Sequence, residues 1–339
     1  MLPVAPAAGP PGGRPAGRPA GPPAGDDPLA PLLRLPGVPA AVERARTACE
    51  ELRWHEAFRR RWREVRAEAD VRAARAGAAV DGARVPLDVL RGVATGVDRV
   101  GPDAGPGVGP DVGSGMGPDA GPGVGSEVGA AAGGAAAAAD LRVATGALRA
   151  TSLAATWRPD LGGRSEPTLP PLGQVLARLH AAAGAGWLPD ADLGRVRGRD
   201  VAPRDLTGLG AAPDGDAAAE RLALLARTVA TTRVPALVVA AVVHGELLAL
   251  RPFTAGNGTV ARAAARLLLC VRGLDPTGAV VPEVAWAATP HPYLAAAAQF
   301  ATGTPDGVAT WVVACADAVV AGAAEGRRVA DAVLAGRLG

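Results

Sequence analysis

The sequence predicts an all-α, predominantly helical fold with one short β-hairpin and a group of helices near the N-terminus. Three observations support this class. Apolar residues recur with helical spacing through most of the chain, the run after Pro235 is apolar on nearly every side, and strand-like alternation is weak and confined to residues 194–201. A helix that is apolar all round is typical of the centre of a helical domain.

Glycine and proline divide the chain into segments. Its 339 residues include 46 Gly and 32 Pro, concentrated at residues 3–25 and 101–134. Residues 1–35 are predicted to be a disordered Pro/Gly/Ala tail, because they hold too few large apolar groups to offset the entropy of ordering. We expect N-terminal helices over residues 36–100, a flexible Gly/Pro-rich insertion over 101–134, and a helical domain over 135–339.

The individual helices are predicted from apolar spacing and from their end signals. Between residues 40 and 76 there is neither Gly nor Pro, and an apolar stripe indicates a buried helix face: Val42, Ala45, Cys49, Leu52, Trp54, Phe58, Trp62 and Val65. Further helices are expected near residues 87–100, 135–151, 172–183, 216–231, 236–249, 259–272, 292–301 and 306–334. Pro235 suits the start of a helix, and Gly273 suits the position just beyond the end of one.

The face opposite the N-terminal apolar stripe is rich in arginine. It carries Arg59, Arg60, Arg61, Arg63 and Arg66. One interpretation is a surface for nucleic acid or another acidic partner. The other is a solvated helix face, with Glu56, Glu64, Glu68 and Asp70 interleaved. The formal net charge of +2 is too small to indicate a polyanion partner. We therefore expect no nucleic-acid binding.

The cysteines and histidines do not indicate a metal site. Cys49, Cys270 and Cys315 are widely spaced and odd in number, and the four histidines have no ligand spacing. We expect no disulfide framework and no signal peptide, and the longest apolar run, near residues 236–243, is too short to span a bilayer. The sequence thus predicts a cytoplasmic protein with no membrane partner and no metal.

One segment carries the chemistry. It reads RPFTAGNGTVAR over residues 251–262, so that an apolar helix ends at a proline, a Gly-Asn-Gly loop turns the chain, and a new helix begins. Asn257 is the only asparagine in a chain that also lacks Lys and Ile, a bias typical of GC-rich coding sequences. The free N–H groups at a helix start attract anions, and Arg262 lies one turn further on. This pattern predicts a phosphate cradle, although a plain Asn-Gly turn between two helices is the alternative.

The same segment resembles the signature of the Fic (Fido) family, H-P-F-x-(D/E)-G-N-G-R-x-x-R. Six positions match in register: Pro252, Phe253, Gly256, Asn257, Gly258 and Arg262. Other parts of residues 168–325 are similar to the family as well, including Leu179-His180, the loop Gly194-Arg195-Val196-Arg197, Tyr293 and Trp311. The resemblance implies a Fic-type helical core over 168–325 with a short hairpin flap. It also implies nucleotide or phosphate binding by Gly256, Asn257, Gly258, Thr259 and Arg262.

Three departures from the signature fall on the chemistry that the family performs. The family's general base is a histidine, whereas this chain has Arg251, which cannot accept a proton near neutral pH. The family's acidic magnesium ligand is Ala255, which has no side-chain oxygen. The family's first arginine is Thr259. The resemblance therefore implies a retained anion site, with the base and the magnesium site lost.

A second resemblance lies in the N-terminal helices. Many Fic proteins carry an inhibitory motif, (S/T)-x-x-x-E-(G/N), whose glutamate pairs with the last arginine of the signature. The segment Gly77-Ala78-Ala79-Val80-Asp81-Gly82 matches it in part, with Asp81 in place of the glutamate. If the resemblance holds, Asp81 has a regulatory role and reaches Arg262. A helix that simply ends at Gly82 is the alternative.

Two functions remain open at this level. The first is a degenerate Fic protein that binds ATP, another nucleotide or phosphate and acts as a binding or regulatory module, with a protein target as a second partner. The second is an active protein adenylyltransferase, or a related nucleotidyl- or phosphotransferase, in which Arg251 stabilises phosphate charge and His244 or Glu246 is the base. For His244, a buried structural histidine is the competing interpretation.

Overall fold

The computed structural model describes residues 27–96, 124–163 and 168–337, with the backbone alone for residues 124–133. Within these ranges the chain forms eleven α-helices and no strand. The helices are α1 (Val38–Arg53), α2 (Trp62–Val80), α3 (Leu87–Gly96), α4 (Val124–Ala155), α5 (Leu172–Gly184), α6 (Gly215–Thr231), α7 (Ala236–Leu250), α8 (Asn257–Val271), α9 (Glu283–Ala288), α10 (Pro290–Ala301) and α11 (Pro305–Leu334). The predicted all-α class is confirmed.

The centre of the fold is the pair α7 and α8, joined by the loop of residues 251–256. Every residue of α7 except Ala236, Glu246 and Ala249 is buried, as its all-round apolar sequence predicts. Helix α8 is buried over all but its last residue, although its sequence is amphipathic. Helices α4 and α5 pack on α8, and α10 and α11 pack on α7. The loop between α7 and α8 is therefore held from several sides.

The N-terminal helices belong to the same core as the C-terminal ones. Helix α1 packs along α11, and α2 packs against α4, α9 and α11. One continuous apolar cluster runs from Val38 in α1 to Val333 in α11. A smaller cluster joins the other face of α2 to α3 and α4. The predicted boundary between the N-terminal helices and the helical domain therefore does not separate two cores.

Several predicted boundaries differ from the structure. The sequence predicts a tail that extends to residue 35, but Ala30–Arg34 form a 3-10 helix, and residues 1–26 lie outside the described part. Asp27 anchors this segment, because its carboxylate accepts hydrogen bonds from the Thr232 hydroxyl at 2.8 Å and the Arg233 N–H at 2.7 Å. Helix α4 begins at Val124, inside the predicted insertion, whose residues 101–123 also lie outside the described part.

The arginine-rich region does not continue as one helix. Helix α1 ends at Arg53, a 3-10 turn spans Glu56–Arg59, and α2 begins at Trp62. Trp54 is exposed as a result, contrary to its place in the predicted apolar stripe. Arg66 is buried and donates to the backbone carbonyls of residues 159, 276 and 277. It therefore does not belong to a solvated arginine face.

The predicted hairpin near Gly194–Val201 is wrong. Residues 193–206 run as an irregular segment beside the loop between α7 and α8. The Arg197 N–H donates to the Pro252 carbonyl, and the Arg204 N–H donates to the Thr254 carbonyl, both at 2.9 Å. These backbone N–H groups therefore bond to carbonyls of the loop, whereas in a hairpin they would bond to a second strand.

Helix α11 differs from the expectation that no apolar run of this chain is long enough to span a bilayer. It contains an 18-residue window of mean hydropathy 1.7, long and apolar enough to cross a membrane on length and composition alone, and 56% of that window is buried in the fold. The helix itself is predicted at residues 306–334, but its apolar character is inconspicuous in the sequence because alanine and glycine, rather than large apolar residues, make up much of it. The same composition is typical of a core helix in close contact with its neighbours.

Candidate functional site

The loop of residues 251–256 begins at an arginine in an unusual conformation. Arg251 ends α7 with φ of 42°, in the left-handed region that favours glycine, and its side chain is buried. Its Nη1 donates to the Leu206 carbonyl at 3.1 Å, and its own carbonyl accepts from Arg197 Nε at 2.8 Å. Burial lowers the pKa of Arg251, an effect that nearby Asp205 opposes. Arg251, at the predicted catalytic position, is therefore buried and held by hydrogen bonds to other parts of the protein.

A buried histidine fixes the middle of the loop. The ring of Phe253 stacks on the ring of His180, with centroids 4.0 Å apart and 6° between the planes. His180 Nδ1 accepts from the Gly194 N–H at 2.9 Å, so its proton is on Nε2, which donates to the Ala255 carbonyl at 3.0 Å. Burial lowers the pKa of His180, which favours this neutral form. His180 thus ties α5, the segment at Gly194 and the loop together.

Asn257, the first residue of α8, closes the loop. Its Oδ1 accepts from the Phe253 N–H at 2.9 Å, and its Nδ2 donates to the Phe253 carbonyl at 2.9 Å. The same Nδ2 donates to Asp205 Oδ1 at 2.7 Å, and the Asn257 N–H donates to Asp205 Oδ2 at 2.8 Å. The predicted phosphate-binding asparagine therefore already uses both amide donors and its acceptor within the protein.

The first two turns of α8 contact a second carboxylate, that of Asp81. Arg262 Nη2 forms an ion pair with Asp81 Oδ2, and the Thr259 hydroxyl donates to the same oxygen at 3.3 Å. Gly258 makes room for this contact, since a Cβ there would lie 2.8 Å from Asp81 Oδ1 and 2.9 Å from Arg262 Nη1. Gly256 begins the helix at φ of 79°, a conformation that glycine adopts without strain. The five residues predicted to bind phosphate thus lie together, with the predicted regulatory residue on top of them.

Asp81 owes its position to the end of α2. It follows the last residue of the helix, and Gly82 continues the chain at φ of 94°. One turn earlier, Gly77 faces Arg262 so closely that a Cβ would be 3.3 Å from Nε. The two interpretations of this segment are therefore compatible: the helix ends just before Gly82, and Asp81 also contacts Arg262.

Arg262 is deeply buried and only partly satisfied. Its exposed fraction is 2%, and its Nε and Nη1 have no hydrogen-bond partner among the described residues. Burial lowers the pKa of Arg262, but Asp81 and Tyr293 outweigh it, so the pKa is raised and the guanidinium stays charged. Glu283 on α9 is buried nearby with one unpartnered oxygen, and burial raises its pKa. The cradle therefore keeps a positive charge with free donors in a low-dielectric surrounding.

The two candidate replacement bases are both engaged elsewhere. His244 is buried among Trp286, Tyr293 and Trp311, with its Nε2 2.9 Å from the Tyr293 hydroxyl. Glu246 accepts from Arg221 on α6 at 2.7 Å, in an ion pair at the outer side of α7. Neither side chain contacts the loop of residues 251–256 through a hydrogen bond. Ala255, at the predicted magnesium-ligand position, offers only a carbonyl that His180 already binds.

Sequence reasoning missed two residues of this site, Asp205 and Glu283. Asp205 lies in an irregular, Gly- and Asp-rich stretch, where one more acidic residue gives no signal. Burial raises the pKa of Asp205, and the nearby Asp81 adds to that effect, while the bonds from Asn257 oppose it. Glu283 begins the short helix α9, which the spacing did not predict. Among the described residues, no three Asp, Glu, His or Cys side chains are grouped as metal ligands would be.

Comparisons with known proteins give one family match and one similar fold. Residues 174–269, from α5 through most of α8, match the family model of the Fic/DOC family. The fold is similar to the crystal structure of a Fic family protein from Desulfovibrio desulfuricans G20, with a TM-score of 0.56 and 17% sequence identity. That match covers 82% of this chain and 73% of the other. Comparison with curated protein sequences gives no match.

Proposed function

We propose that this chain, whose residues 174–269 belong to the Fic/DOC family, is a degenerate member that binds a nucleotide or phosphate without ordinary AMP transfer. In this proposal the protein acts as a binding or regulatory module, and Asp81 keeps its anion site closed.

The observation that carries the proposal is the contact of the Asp81 carboxylate with the first two turns of α8. Arg262 and Thr259 hold an anionic oxygen there, next to a glycine that leaves the backbone open. Helix N-termini with a neighbouring arginine are general binding sites for phosphate. The two unpartnered donors of Arg262 leave capacity for a larger anion than a carboxylate. This supports a nucleotide phosphate as the ligand that competes with Asp81.

The absence of transfer is supported by the residues at the reacting positions. Arg251 has no lone pair to accept a proton, and its Nη1 is bound to Leu206. Burial holds the pKa of His244 well below 6.5, and that side chain is enclosed by aromatic rings. Because Ala255 has no side-chain oxygen, we propose that binding is independent of magnesium. The positive loop then attracts phosphate by itself.

The proposal is tested by calorimetric titration with ATP, in magnesium and in EDTA. Asp81→Ala is expected to bind more tightly than the wild type, since it frees Arg262. Adding Arg262→Ala to that variant removes a charged hydrogen bond worth about 1.5–3 kcal/mol, so affinity is expected to fall about ten- to a hundredfold. Asp317→Ala is the matched control, because Asp317 forms an exposed ion pair with Arg44.

Three outcomes contradict parts of the proposal. If no variant binds ATP, ADP or phosphate, the nucleotide site does not exist. If EDTA abolishes binding, a metal takes part. If mass spectrometry of Asp81→Ala with ATP and magnesium finds AMP on the protein or on an added target, and Asn257→Ala loses it, the chain is an active adenylyltransferase. Active transfer of another nucleotidyl or phosphoryl group is read from the same spectra.

A further inference from the structure

Asp205 occupies the start of α8 as a ligand anion would. Its two oxygens accept from the Asn257 N–H at 2.8 Å and from Asn257 Nδ2 at 2.7 Å. The Asn257 N–H is one of the free donors that a helix N-terminus presents. A phosphate that approaches this turn needs the same donors. The carboxylate of Asp205 and a phosphate oxygen therefore compete for one position.

The rest of Asn257 offers no alternative contact. Its second Nδ2 hydrogen is bound to the Phe253 carbonyl, and its Oδ1 is bound to the Phe253 N–H. A ligand can consequently reach Asn257 only after Asp205 has left. Independently, Arg262 Nη1 is buried without a partner among the described residues, and it lies against the same turn, 2.9 Å from where a Cβ of Gly258 would be. The start of α8 thus has an unpartnered donor, Arg262 Nη1, beside the position that Asp205 occupies.

The segment that carries Asp205 is lightly attached to the loop. Over residues 204–209 its polar contacts with the loop and α8, other than those of Asp205, are the Arg204 N–H to the Thr254 carbonyl and the Leu206 carbonyl to Arg251 Nη1. Leu206 has φ of 54°, a conformation that costs energy in a residue other than glycine. Arg204, Thr207 and Gly208 are exposed. Opening this segment would break these hydrogen bonds and the packing of Leu206 and Leu209 on the core, and it would relieve the conformation of Leu206.

We infer that residues 204–209 form a second closure over the anion site, in which Asp205 occupies the position of a phosphate oxygen on Asn257. The inference rests on the proposed function. Asp81 blocks the Arg262 side of the site, and Asp205 blocks the Asn257 side. Nucleotide binding then requires both carboxylates to leave, so the apparent affinity is reduced by the fraction of molecules in which both are open.

The test compares ATP binding by Asp81→Ala with binding by Asp81→Ala combined with Asp205→Asn. Asparagine keeps the size of the side chain and one acceptor, but it removes the charge that competes with phosphate. We expect the double variant to bind ATP about tenfold more tightly than Asp81→Ala, because the open fraction rises. Asp192→Asn in the same background is the matched control. Asp192 also bonds the loop, through the Thr254 hydroxyl at 3.2 Å, and its change should leave affinity unaltered.

A second measurement does not depend on any change at Asp205. In Asp81→Ala, hydrogen exchange of residues 204–209 is followed with and without saturating ATP, and we expect exchange there to accelerate when ATP binds. If Asp81→Ala binds ATP but Asp205→Asn brings no gain and exchange does not accelerate, Asp205 is a structural cap and the inference is wrong. If no variant binds ATP, the proposed function itself fails.

Discussion

His244 shows how a single titratable residue can be fixed by its surroundings. Three aromatic side chains enclose it, and its Nε2 is bound to the Tyr293 hydroxyl. Burial, and to a smaller extent the charge of Arg262, hold the pKa of His244 well below its ordinary 6.5. The folded protein therefore contains neutral His244, while the unfolded chain takes up a proton as the pH falls through about 6.5.

This difference predicts how stability depends on pH. Below about pH 6.5 the unfolded state binds one more proton at this residue than the folded state, so the free energy of unfolding falls as the pH falls. The slope from one such group is at most about 1.4 kcal/mol per pH unit. The free energy of unfolding, measured with urea at pH 7.5, 6.5 and 5.5, should have a smaller slope against pH for His244→Gln than for the wild type.

The control for this prediction is His291→Gln, at an exposed position on α10. It should keep the wild-type slope. A His244→Gln variant with the wild-type slope would mean that His244 is protonated in the folded protein, contrary to its enclosure by apolar rings.

At the scale of elements, two glycines let α11 pack closely against the backbone of the irregular segment 279–282. A Cβ on Gly322 would lie 2.7 Å from the backbone nitrogen of Pro282, and one on Gly326 would lie 2.5 Å from the carbonyl of Ala279. The Gly322 carbonyl also accepts from the Val281 N–H at 3.2 Å. This contact sets the position of Glu283, the first residue of α9, which lies beside Arg262 and Arg266.

Gly322→Ala should therefore lower the free energy of unfolding by about 1–3 kcal/mol, because the added methyl group overlaps backbone that cannot move as a side chain can. The matched control is Gly92→Ala in α3, where no atom lies within 4 Å of the added Cβ. That change should raise stability by about 0.5–1 kcal/mol, since alanine is the better helix former. Guanidinium unfolding curves measure both. Equal effects of the two changes would contradict close packing of α11.

At the scale of the whole molecule, buried ion pairs join the N-terminal helices to α8. Asp70 on α2 accepts from Arg266 on α8 at 2.6 Å and from Arg158, beyond the end of α4, at 3.0 Å. All three side chains are largely buried. Together with the continuous apolar cluster, these pairs make α2 part of the same unit as α8.

Asp70→Asn leaves two buried arginines without their charge partner, so it should lower the free energy of unfolding by about 3–5 kcal/mol. The control is Asp317→Asn, whose exposed pair with Arg44 should contribute at most about 1 kcal/mol. Circular dichroism and tryptophan fluorescence should report one common transition for the wild type. Separate transitions would show that the N-terminal helices unfold on their own.

The sequence alone predicted most helices within a few residues, because their apolar spacing and end signals are local properties. It failed where the local pattern was weak or misleading. The alternation at 194–201 suggested a hairpin, but the backbone of that segment bonds to a loop more than fifty residues away. Trp54 continued an apolar stripe in the sequence, yet the end of α1 at Arg53 leaves it exposed.

For the candidate site, residue identity alone determined which chemical groups are present: a guanidinium at position 251, and no carboxylate at position 255. Their arrangement depended on contacts between residues far apart in the chain. Asp81 and Arg262 are separated by 181 positions, and Asp205 and Asn257 by 52. Which of several acidic residues meets the start of α8 depends on how α2 and residues 204–209 pack around it. Only the tertiary structure decided that, because packing compares all parts of the chain at once, whereas a sequence motif reports one segment.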